Sequence, residues 1–332
     1  MLGKKFRKFP HSVVESDKGR IVTEVDPDSI ESFQPVQEQN PEPPVVEPKP
    51  QPEPRPQPKP KPEAKPKKVI KKSSEVIIHP QAVVDPKAEL DQGVEVGPFT
   101  IIEAGVKIGR DTKIASNVLI KSGTTVGKNN LIGHGSVLGT LPQYIGFNED
   151  EETTLVIGDN NTIREYCTFN RGTEHRQKTL VGSNCFIMTY VHVAHDCIVG
   201  NNVTIANAVN MAGHVVIEDF VGIGGMVPIH QFVRIGCQSF IGGGYRVPKD
   251  VPPYILASGE PLTFAGLNSV GLKRRGFDSE ARMNIKRAYR ILFREHLNVT
   301  QAIQRIKREL QPSKEILNLV DFIEGSERGI IR

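Results

Sequence analysis

The sequence predicts a mainly β protein built as a parallel β-helix. Three observations support this fold class and divide the chain. The first residues are rich in proline and charge, a six-residue apolar repeat follows, and the repeat gives way to helical spacing after Val251-Pro252-Pro253. We therefore expect a proline-rich arm over residues 1–75, a β-helix over 76–256 and a helical domain over 257–332.

The first segment, to about Lys72, contains runs such as PEPRPQPKPKPEAKPKK and few apolar residues. It cannot bury a core, so we expect an extended, disordered arm. Its start, MLGKKFRKF, is basic but lacks the apolar stretch of a secretory signal, and no segment of the chain is long enough to span a bilayer. We therefore expect a cytoplasmic protein without a membrane span. The arm is either a soluble spacer or a site for a partner or an anionic membrane surface.

The β-helix prediction rests on apolar residues that return every six positions in two runs. Such a hexapeptide repeat marks a parallel β-helix, in which each repeat gives one short strand with its apolar residue in the core. Glycine or asparagine beside that residue permits the tight corners. With three faces per coil, the runs predict on the order of nine coils of about 18 residues. The first run is Ile78, Val84, Leu90, Val96, Ile102, Ile108, Ile114, Ile120, Val126, Ile132 and Leu138. The second, one residue out of phase, is Ile157, Ile163, Phe169, Val181, Ile187, Val193, Val199, Ile205, Met211, Ile217, Ile223, Ile229, Ile235, Ile241 and Val247.

Two interruptions of the repeat predict loops that leave the coil. Residues 139–154, GTLPQYIGFNEDEETT, separate the two runs and carry proline, glycine and an acidic tract. Residues 172–178, GTEHRQK, keep the phase but place His175 where an apolar residue belongs. Loops that leave a rigid scaffold commonly carry binding residues.

After the coil, Ala281, Ile285, Ala288 and Leu292 fall on one helical face, with Asp278 or Ser279 placed to cap it. Further helices are expected around 300–310 and 314–323. The net charge of +4 is too small to indicate nucleic acid. Basic residues nevertheless gather in this region, where they either form a solvated face or attract an acidic partner. They are Lys273, Arg274, Arg275, Arg282, Lys286, Arg287, Arg290 and Arg294.

Four histidines lie in polar surroundings in the second run: His192, His195, His214 and His230. His195 and His214, and His214 and His230, are nearly one coil apart, so we expect the side chains to gather on one corner of the coil. Two chemistries fit. A neutral His195, oriented by Asp196 or by a backbone carbonyl, could remove a proton from a sugar hydroxyl. Alternatively, three histidines could hold zinc and activate water, as in a trimeric carbonic-anhydrase-like hydratase.

Several strings in this chain resemble those of the UDP-N-acetylglucosamine acyltransferases of lipid A biosynthesis. The resemblance spans about residue 76 to the end of the chain. It implies a homotrimer of left-handed β-helices, with active sites between subunits and no cofactor or metal. The implied reaction moves a 3-hydroxyacyl chain from acyl carrier protein to the glucosamine 3-hydroxyl. The strings are Arg164-Glu165, Arg171-Gly172-Thr173, Val191-His-Val-Ala-His-Asp-Cys197, Met211-Ala-Gly-His214, Ile223-Gly-Gly-Met226, His230-Gln-Phe232, Asp250-Val-Pro-Pro-Tyr254 and Gly271-Leu-Lys-Arg-Arg-Gly-Phe277.

The resemblance also implies roles for individual residues. His195 would be the general base, Asp196 its orienting partner, and the Gly213 N–H the donor to the thioester oxyanion. At the position of Gly243, side-chain size limits acyl length, so a long chain should be admitted. The substrate cleft would be lined by His192, His214, His230 and Gln231, and the nucleotide or phosphates would meet Asn268, Arg274 and Arg275.

This sequence departs from the family pattern in the acceptor contacts. Tyr144 and Gly146 replace an aspartate and a lysine that grip the sugar nucleotide, Val270 replaces a glutamate, and Asn170 replaces a histidine. The elements for the base and the oxyanion remain. These departures favour acyl transfer to a modified or different UDP-amino sugar. The proline-rich arm is foreign to the family, which leaves open a third class, a scaffold that has lost its chemistry.

Overall fold

The structure is a computed structural model and describes residues 75–148 and 150–332. The predicted proline-rich arm therefore lies almost wholly outside the described residues. The described chain forms short strands followed by helices. The strands are β1 Ile77–Ile78, β2 Val83–Val84, β3 Glu89–Leu90, β4 Glu95–Val96, β5 Ile101–Ile102, β6 Lys107–Ile108, β7 Lys113–Ile114, β8 Leu119–Ile120, β9 Thr124–Val126, β10 Leu131–Ile132, β11 Val137–Thr140, β12 Thr154–Ile157, β13 Thr162–Ile163, β14 Thr168–Asn170, β15 Lys178–Val181, β16 Phe186–Ile187, β17 His192–Val193, β18 Ile198–Val199, β19 Thr204–Ile205, β20 Asn210–Met211, β21 Val216–Ile217, β22 Gly222–Ile223, β23 Pro228–Ile229, β24 Arg234–Ile235, β25 Phe240–Ile241, β26 Ile255–Ser258 and β27 Thr263–Leu267.

Strands β1 to β25 wind into three parallel sheets, because each strand pairs with the third strand after it. We name the sheets first, second and third after the strands that begin them, β1, β2 and β3. The paired residues are regularly 18 positions apart, as for Lys113 and Leu131. Strands β1 to β24 make eight coils and β25 begins a ninth. The predicted parallel β-helix of about nine coils is confirmed.

The periodic apolar residues form the core of the coil. From Val96 to Val247, every member of both runs is buried. The first coil differs: Ile78 is 44% exposed, because no coil precedes it in the described part of the chain. Burial of an aliphatic side chain contributes roughly 1.5–3 kcal/mol, so the repeat is also the main source of stability.

A second buried position, two residues before each periodic residue, was not anticipated from the sequence. From Val94 to Ser239 it mostly holds valine or a small polar residue, and several of the polar side chains donate to a carbonyl of the next coil. Thr100 Oγ1 donates to Ala115 O at 2.7 Å, and Cys197 Sγ to Ala212 O at 3.2 Å. Three of the four cysteines, Cys167, Cys185 and Cys197, occupy this position as free, buried thiols. Burial raises the pKa of Cys197 to about 12, so it is a core residue and not a reactive one.

The two interruptions are loops that leave the coil, as predicted. Across the first loop, Leu131 pairs with Thr162, 31 positions on instead of 18, so the insertion is 13 positions long. Across the second, Thr162 pairs with Phe186, 24 positions on, so the insertion is six positions long. An insertion of 13 shifts a six-residue repeat by one position, whereas an insertion of six leaves it unchanged. The loop lengths thus explain both the phase shift and the apparently missing apolar residue at His175.

The chain leaves the coil through β26, which pairs in parallel with β25, and β27, which returns antiparallel. The predicted domain boundary at residue 256 falls inside β26. The three predicted helices are present, and α2 is capped by the Asp278 side chain. The helix α1 and the strand β27 were not anticipated. The helices are α1 Ser269–Arg274, α2 Ser279–Arg294, α3 Val299–Glu309 and α4 Lys314–Glu324. None of the helices within residues 75–148 and 150–332 is long and apolar enough to cross a membrane.

We predict that Ile205→Ala lowers the free energy of unfolding by about 2–5 kcal/mol, because it leaves a cavity in a fully buried position between coils. The matched control is Thr204→Ala, the neighbouring strand residue that faces outward and is exposed, which should change stability by less than about 0.5 kcal/mol. Urea denaturation monitored by circular dichroism measures both, and equal losses would contradict the assignment of the repeat to the core.

Candidate active site

The predicted histidine cluster lies at the corner where the chain passes from the second to the third sheet. Asp196, His214 and Phe232 occupy the same position on three successive coils, each with φ between 60° and 64°. This left-handed conformation is unusual for residues other than glycine. It stacks the His214 and Phe232 rings, whose centroids are 4.4 Å apart. The corner geometry of the coil therefore fixes the orientation of the side chains.

The structure brings His195 and His214 together, with ring centroids 5.1 Å apart. His230 lies on the same edge of the coil but does not stack on His214, because residue 232 and not 230 is one full coil beyond residue 214. The His230 side chain is exposed, and its Nδ1 lies 3.1 Å from the Gln231 carbonyl oxygen. We use the name His195 cluster for His175, His195, Asp196, His214 and Phe232.

Asp196 holds His195 at the centre of this cluster. The Nδ1 of His195 lies 2.8 Å from Asp196 Oδ2, and Asp196 is fully buried. Thr173 donates to both carboxylate oxygens, from its N–H at 3.0 Å and from its hydroxyl at 2.6 Å. Burial raises the pKa of Asp196, but the hydrogen bonds with His195 and Thr173 outweigh that effect and lower it to about 2. The carboxylate is therefore ionised at neutral pH and accepts a hydrogen bond from His195 Nδ1.

The tautomer of His195 follows from this contact. Because ionised Asp196 can only accept, neutral His195 must carry its proton on Nδ1, which leaves a lone pair on Nε2. The side chain is 15% exposed. An imidazole held in this way can remove a proton from a hydroxyl that approaches Nε2.

Gly213 occupies the position one coil beyond His195, and the His195 ring lies over it. A Cβ at residue 213 would lie 2.5 Å from His195 Cε1 and 2.7 Å from Nε2, so only glycine leaves room for this ring. The hydrogen bonds found between the described residues include no acceptor for the Gly213 N–H. The sequence offered a signal for this requirement, since glycine follows His195 at the coil spacing of 18.

His214 completes the polar face of the corner. Its Nε2 lies 3.7 Å from Asp196 Oδ2, and its Nδ1 is buried without a hydrogen-bond partner among the described residues. Burial lowers the pKa of His214; Asp196 opposes this effect, and His195 and His175 add to it. The neutral imidazole is therefore favoured at neutral pH.

One group of side chains in the described part of the chain could hold a metal ion. The nearest ligand atoms of His195, Asp196 and His214 all lie within 4.8 Å of one another. Two imidazoles and a carboxylate suit zinc. The third ligand of this group is the Asp196 carboxylate, whereas the zinc alternative expected three histidines.

The first loop returns to the cluster and brings Tyr144 with it. The Tyr144 and His195 ring centroids are 6.2 Å apart. At the root of the loop, Asn170 Nδ2 donates to Thr140 Oγ1 at 2.8 Å and to the Leu141 carbonyl at 2.9 Å. The two departures at Asn170 and Tyr144 are therefore linked, since Asn170 anchors the loop and Tyr144 faces His195.

His192 lies on β17, on the outward face of the second sheet, and pairs in register with Asn210. Its Nδ1 lies 2.8 Å from the Thr168 hydroxyl oxygen, and burial lowers its pKa. It is thus on the same edge as His195 but held by a different partner.

The remaining predicted site residues lie elsewhere in the chain. Gly243 is an exposed corner residue between the first and second sheets. Asn268 caps α1 and donates to the Gln238 carbonyl at 2.8 Å. Arg275 donates to Gln238 Oε1 at 2.9 Å, and Arg274 ends α1. The contacts among the described residues do not join these four to the His195 cluster.

Three residues of the site were not identified from the sequence as functional: Thr173, His175 and Phe232. Thr173 holds Asp196, and the His175 ring lies edge-on to His214 with centroids 4.8 Å apart. Phe232 could have been found by counting one full coil onward from His214. The contacts of Thr173 and His175 depend on the path of the inserted loop, which the repeat does not determine.

Comparisons with known proteins agree with this geometry. Residues 105–140 and 178–213 match the model of the bacterial transferase hexapeptide repeat. Residues 250–331 match domain 2 of the UDP-N-acetylglucosamine O-acyltransferases. The fold and the two matched models define a hexapeptide-repeat transferase.

Named relatives identify the family within this class of hexapeptide-repeat transferases. The acyl-[acyl-carrier-protein]--UDP-N-acetylglucosamine O-acyltransferase of Sulfurihydrogenibium sp. is 56% identical over 243 residues, covering 73% of this chain and 89% of the relative. The enzyme of the same name from Thiobacillus denitrificans is 44% identical over 247 residues, covering 73% and 94%. The crystal structure of LpxA, a UDP-N-acetylglucosamine acyltransferase from Bacteroides fragilis, is similar with a TM-score of 0.76 and 45% identity, covering 77% of this chain and all of that one. The chain belongs to the UDP-N-acetylglucosamine O-acyltransferase family.

Proposed function

We propose that this chain transfers a 3-hydroxyacyl group from acyl carrier protein to the 3-hydroxyl of a UDP-N-acetylglucosamine-type sugar nucleotide, the first step of lipid A biosynthesis. His195 acts as the general base. The observation that carries this proposal is the 2.8 Å contact between His195 Nδ1 and buried Asp196, which leaves Nε2 as the free proton acceptor. Membership of the family supports the reaction class, and this contact supports His195 as the general base.

In the proposed mechanism, Nε2 of His195 takes the proton of the sugar hydroxyl as its oxygen attacks the thioester carbonyl. The resulting imidazolium is stabilised by the ionised Asp196. The tetrahedral intermediate carries its negative charge on the former carbonyl oxygen, where the Gly213 N–H can donate. The intermediate then collapses, the carbon–sulfur bond breaks, and His195 returns the proton to the thiolate of the carrier. An amide without another partner among the described residues, directly beneath the base, supports this role for Gly213.

We further propose that the active form is a homotrimer with the site in a cleft between subunits. Within one chain, the contacts among the described residues do not join Asn268, Arg274, Arg275 or Gly243 to the His195 cluster. A neighbouring subunit could bring these residues to the cleft and complete the contacts to the nucleotide and the acyl chain. In this arrangement His192, His230 and Gln231 would line the substrate cleft.

This chain differs from the family pattern in the residues that would contact the acceptor sugar. Tyr144 faces His195 at 6.2 Å, and Ile145 beside it is fully exposed. An aromatic ring and an aliphatic side chain cannot ion-pair with the sugar nucleotide, but they can pack against the face of a sugar ring. The site is therefore suited to UDP-N-acetylglucosamine or to a modified UDP-amino sugar that makes fewer charged contacts.

The decisive experiment offers the purified protein a mixture of 3-hydroxyacyl carrier proteins together with UDP-N-acetylglucosamine and other UDP-amino sugars. Mass spectrometry of the products identifies both the acyl chain and the acceptor. An acylated UDP-amino sugar supports the proposal, and the absence of product from every UDP-sugar would overturn it.

The basic face of α2 is the expected docking surface for the acidic acyl carrier protein. Lys286, Arg287, Arg290 and Arg294 are exposed on this helix. We predict that Arg287→Glu with Arg290→Glu raises the KM for acyl carrier protein about 10-fold or more, because the surface charge that attracts the carrier is reversed. The KM for the sugar nucleotide should change less than about twofold. Steady-state kinetics with each substrate varied in turn measures both, and equal effects would contradict a docking surface.

A further inference from the structure

The six residues inserted at the second loop, Gly172 to Gln177, are not needed to build the coil. Across them Thr154 pairs with Lys178, 24 positions on, where the following coil uses 18. The two ends of the insertion meet, since a Cβ on Gly172 would lie 2.4 Å from the Lys178 nitrogen. The strands on either side thus have the spacing of an uninterrupted repeat, and the insertion is a closed loop added to it.

This loop directs three of its six residues at the His195 cluster. Thr173 donates to both oxygens of Asp196, at 3.0 Å from its N–H and 2.6 Å from its hydroxyl. Arg176 donates to the Asp196 carbonyl at 3.1 Å. His175 lies edge-on to His214, with ring centroids 4.8 Å apart. A loop that only covered the core would have no reason to satisfy the carboxylate that holds His195.

We propose that the loop 172–177 is a positioning element for the general base and that Thr173 is its positioning residue. The inference rests on the proposed function, because it assumes that His195 removes the proton. A carboxylate that contacts only His195 could rotate about its Cβ–Cγ bond. The two donors of Thr173 fix that rotation and so fix the position of Oδ2 beneath the imidazole. The hydroxyl is essential to this arrangement because it shares Oδ2 with His195 Nδ1.

A purely structural role for Thr173 predicts a different outcome from a positioning role. Thr173 is 7% exposed, so its methyl group also fills space. Valine keeps this shape but lacks the hydroxyl, whereas serine keeps the hydroxyl but lacks the methyl group. If Thr173 acts by packing, Thr173→Ser should be the more damaging variant. If it acts by positioning Asp196, Thr173→Val should be the more damaging one.

The experiment compares Thr173→Val, Thr173→Ser and the wild type in steady-state kinetics with both substrates. We expect Thr173→Val to lower kcat about 10-fold, with the KM of each substrate within twofold and the Tm within a few degrees of wild type. Thr173→Ser should keep kcat within about threefold of wild type. A Thr173→Val enzyme with wild-type kcat, or a Thr173→Ser enzyme with the larger loss, would overturn the inference.

Removal of residues 172–177 tests the whole loop. The excision joins Arg171 to Lys178 and returns the coil to its spacing of 18, so the protein should still fold, with kcat lowered by at least 10-fold. An excised protein that folds and turns over like wild type would contradict the proposal. If it does not fold, the two Thr173 variants decide the question alone. An inactive wild type would refute the proposed function instead, so the two failures are distinguishable.

Discussion

We expect His195→Ala to lower kcat/KM at least 100-fold. A 100-fold loss corresponds to about 2.7 kcal/mol of transition-state stabilisation. The variant removes the imidazole whose free nitrogen is set by a buried carboxylate. The sugar hydroxyl would then have to lose its proton to solvent. Fold should be preserved, because the side chain lies on the outer surface of a corner and not among the periodic core residues.

The measurement is the initial rate of acyl transfer under kcat/KM conditions for the sugar nucleotide. The matched control is His79→Ala, an exposed histidine at the first coil that should leave the rate unchanged. A second comparison is Gly213→Ala, in which the new Cβ would collide with the His195 ring at 2.5 Å. In the double variant the glycine change should add little to the loss from His195→Ala, because the two share one mechanism. Wild-type turnover by His195→Ala would remove His195 from the role of base.

The sequence was sufficient to predict the scaffold because each six-residue repeat packs in the same way as the one before it. Once Ile187 is assigned to the core, Val193 and Val199 must lie in the core too. Errors in assigning buried positions therefore do not accumulate along the chain. The same logic placed His195 and His214 together. It was less exact for His230, because a spacing of nearly one coil does not distinguish position 230 from position 232. At a corner, a difference of two positions decides which ring stacks.

What the sequence could not supply is the path of the chain where the repeat is broken. Thr173, His175 and Tyr144 all reach the His195 cluster from inserted loops, and their contacts depend on loop geometry that no periodicity encodes. Asn268 and Arg275 show a different limit of prediction from the sequence. Their places on α1 and beside it follow from local capping, but in the proposed trimer their use in binding would depend on a neighbouring subunit, which the repeat does not encode.

Asp196→Asn should lower kcat/KM by about 100-fold or more, although it changes only one atom. In the variant, the amide oxygen can still accept from the Thr173 N–H, and the amide nitrogen takes the place of Oδ2. That nitrogen donates to His195 Nδ1, which must then accept, so the imidazole proton moves to Nε2. The base is present but holds its proton on the wrong nitrogen. The matched control is Asp219→Asn, another corner carboxylate, which accepts from the Asn201 N–H at 2.6 Å and should leave activity unchanged.

The same variant gives a stability signature with a defined sign. The folded pKa of Asp196 is lowered from 3.8 to about 2, so its ionised form stabilises the fold by about 2 kcal/mol above pH 4. This contribution is lost as the pH falls through the folded pKa, because the carboxyl group is then protonated in both the folded and the unfolded state. The difference in unfolding free energy between wild type and Asp196→Asn should therefore be largest near pH 7 and shrink between about pH 4 and pH 2. Denaturant unfolding across that range measures it. A difference that is independent of pH would show that the carboxylate does not carry its charge in the folded state. Activity within threefold of wild type would show that it does not set the tautomer of His195.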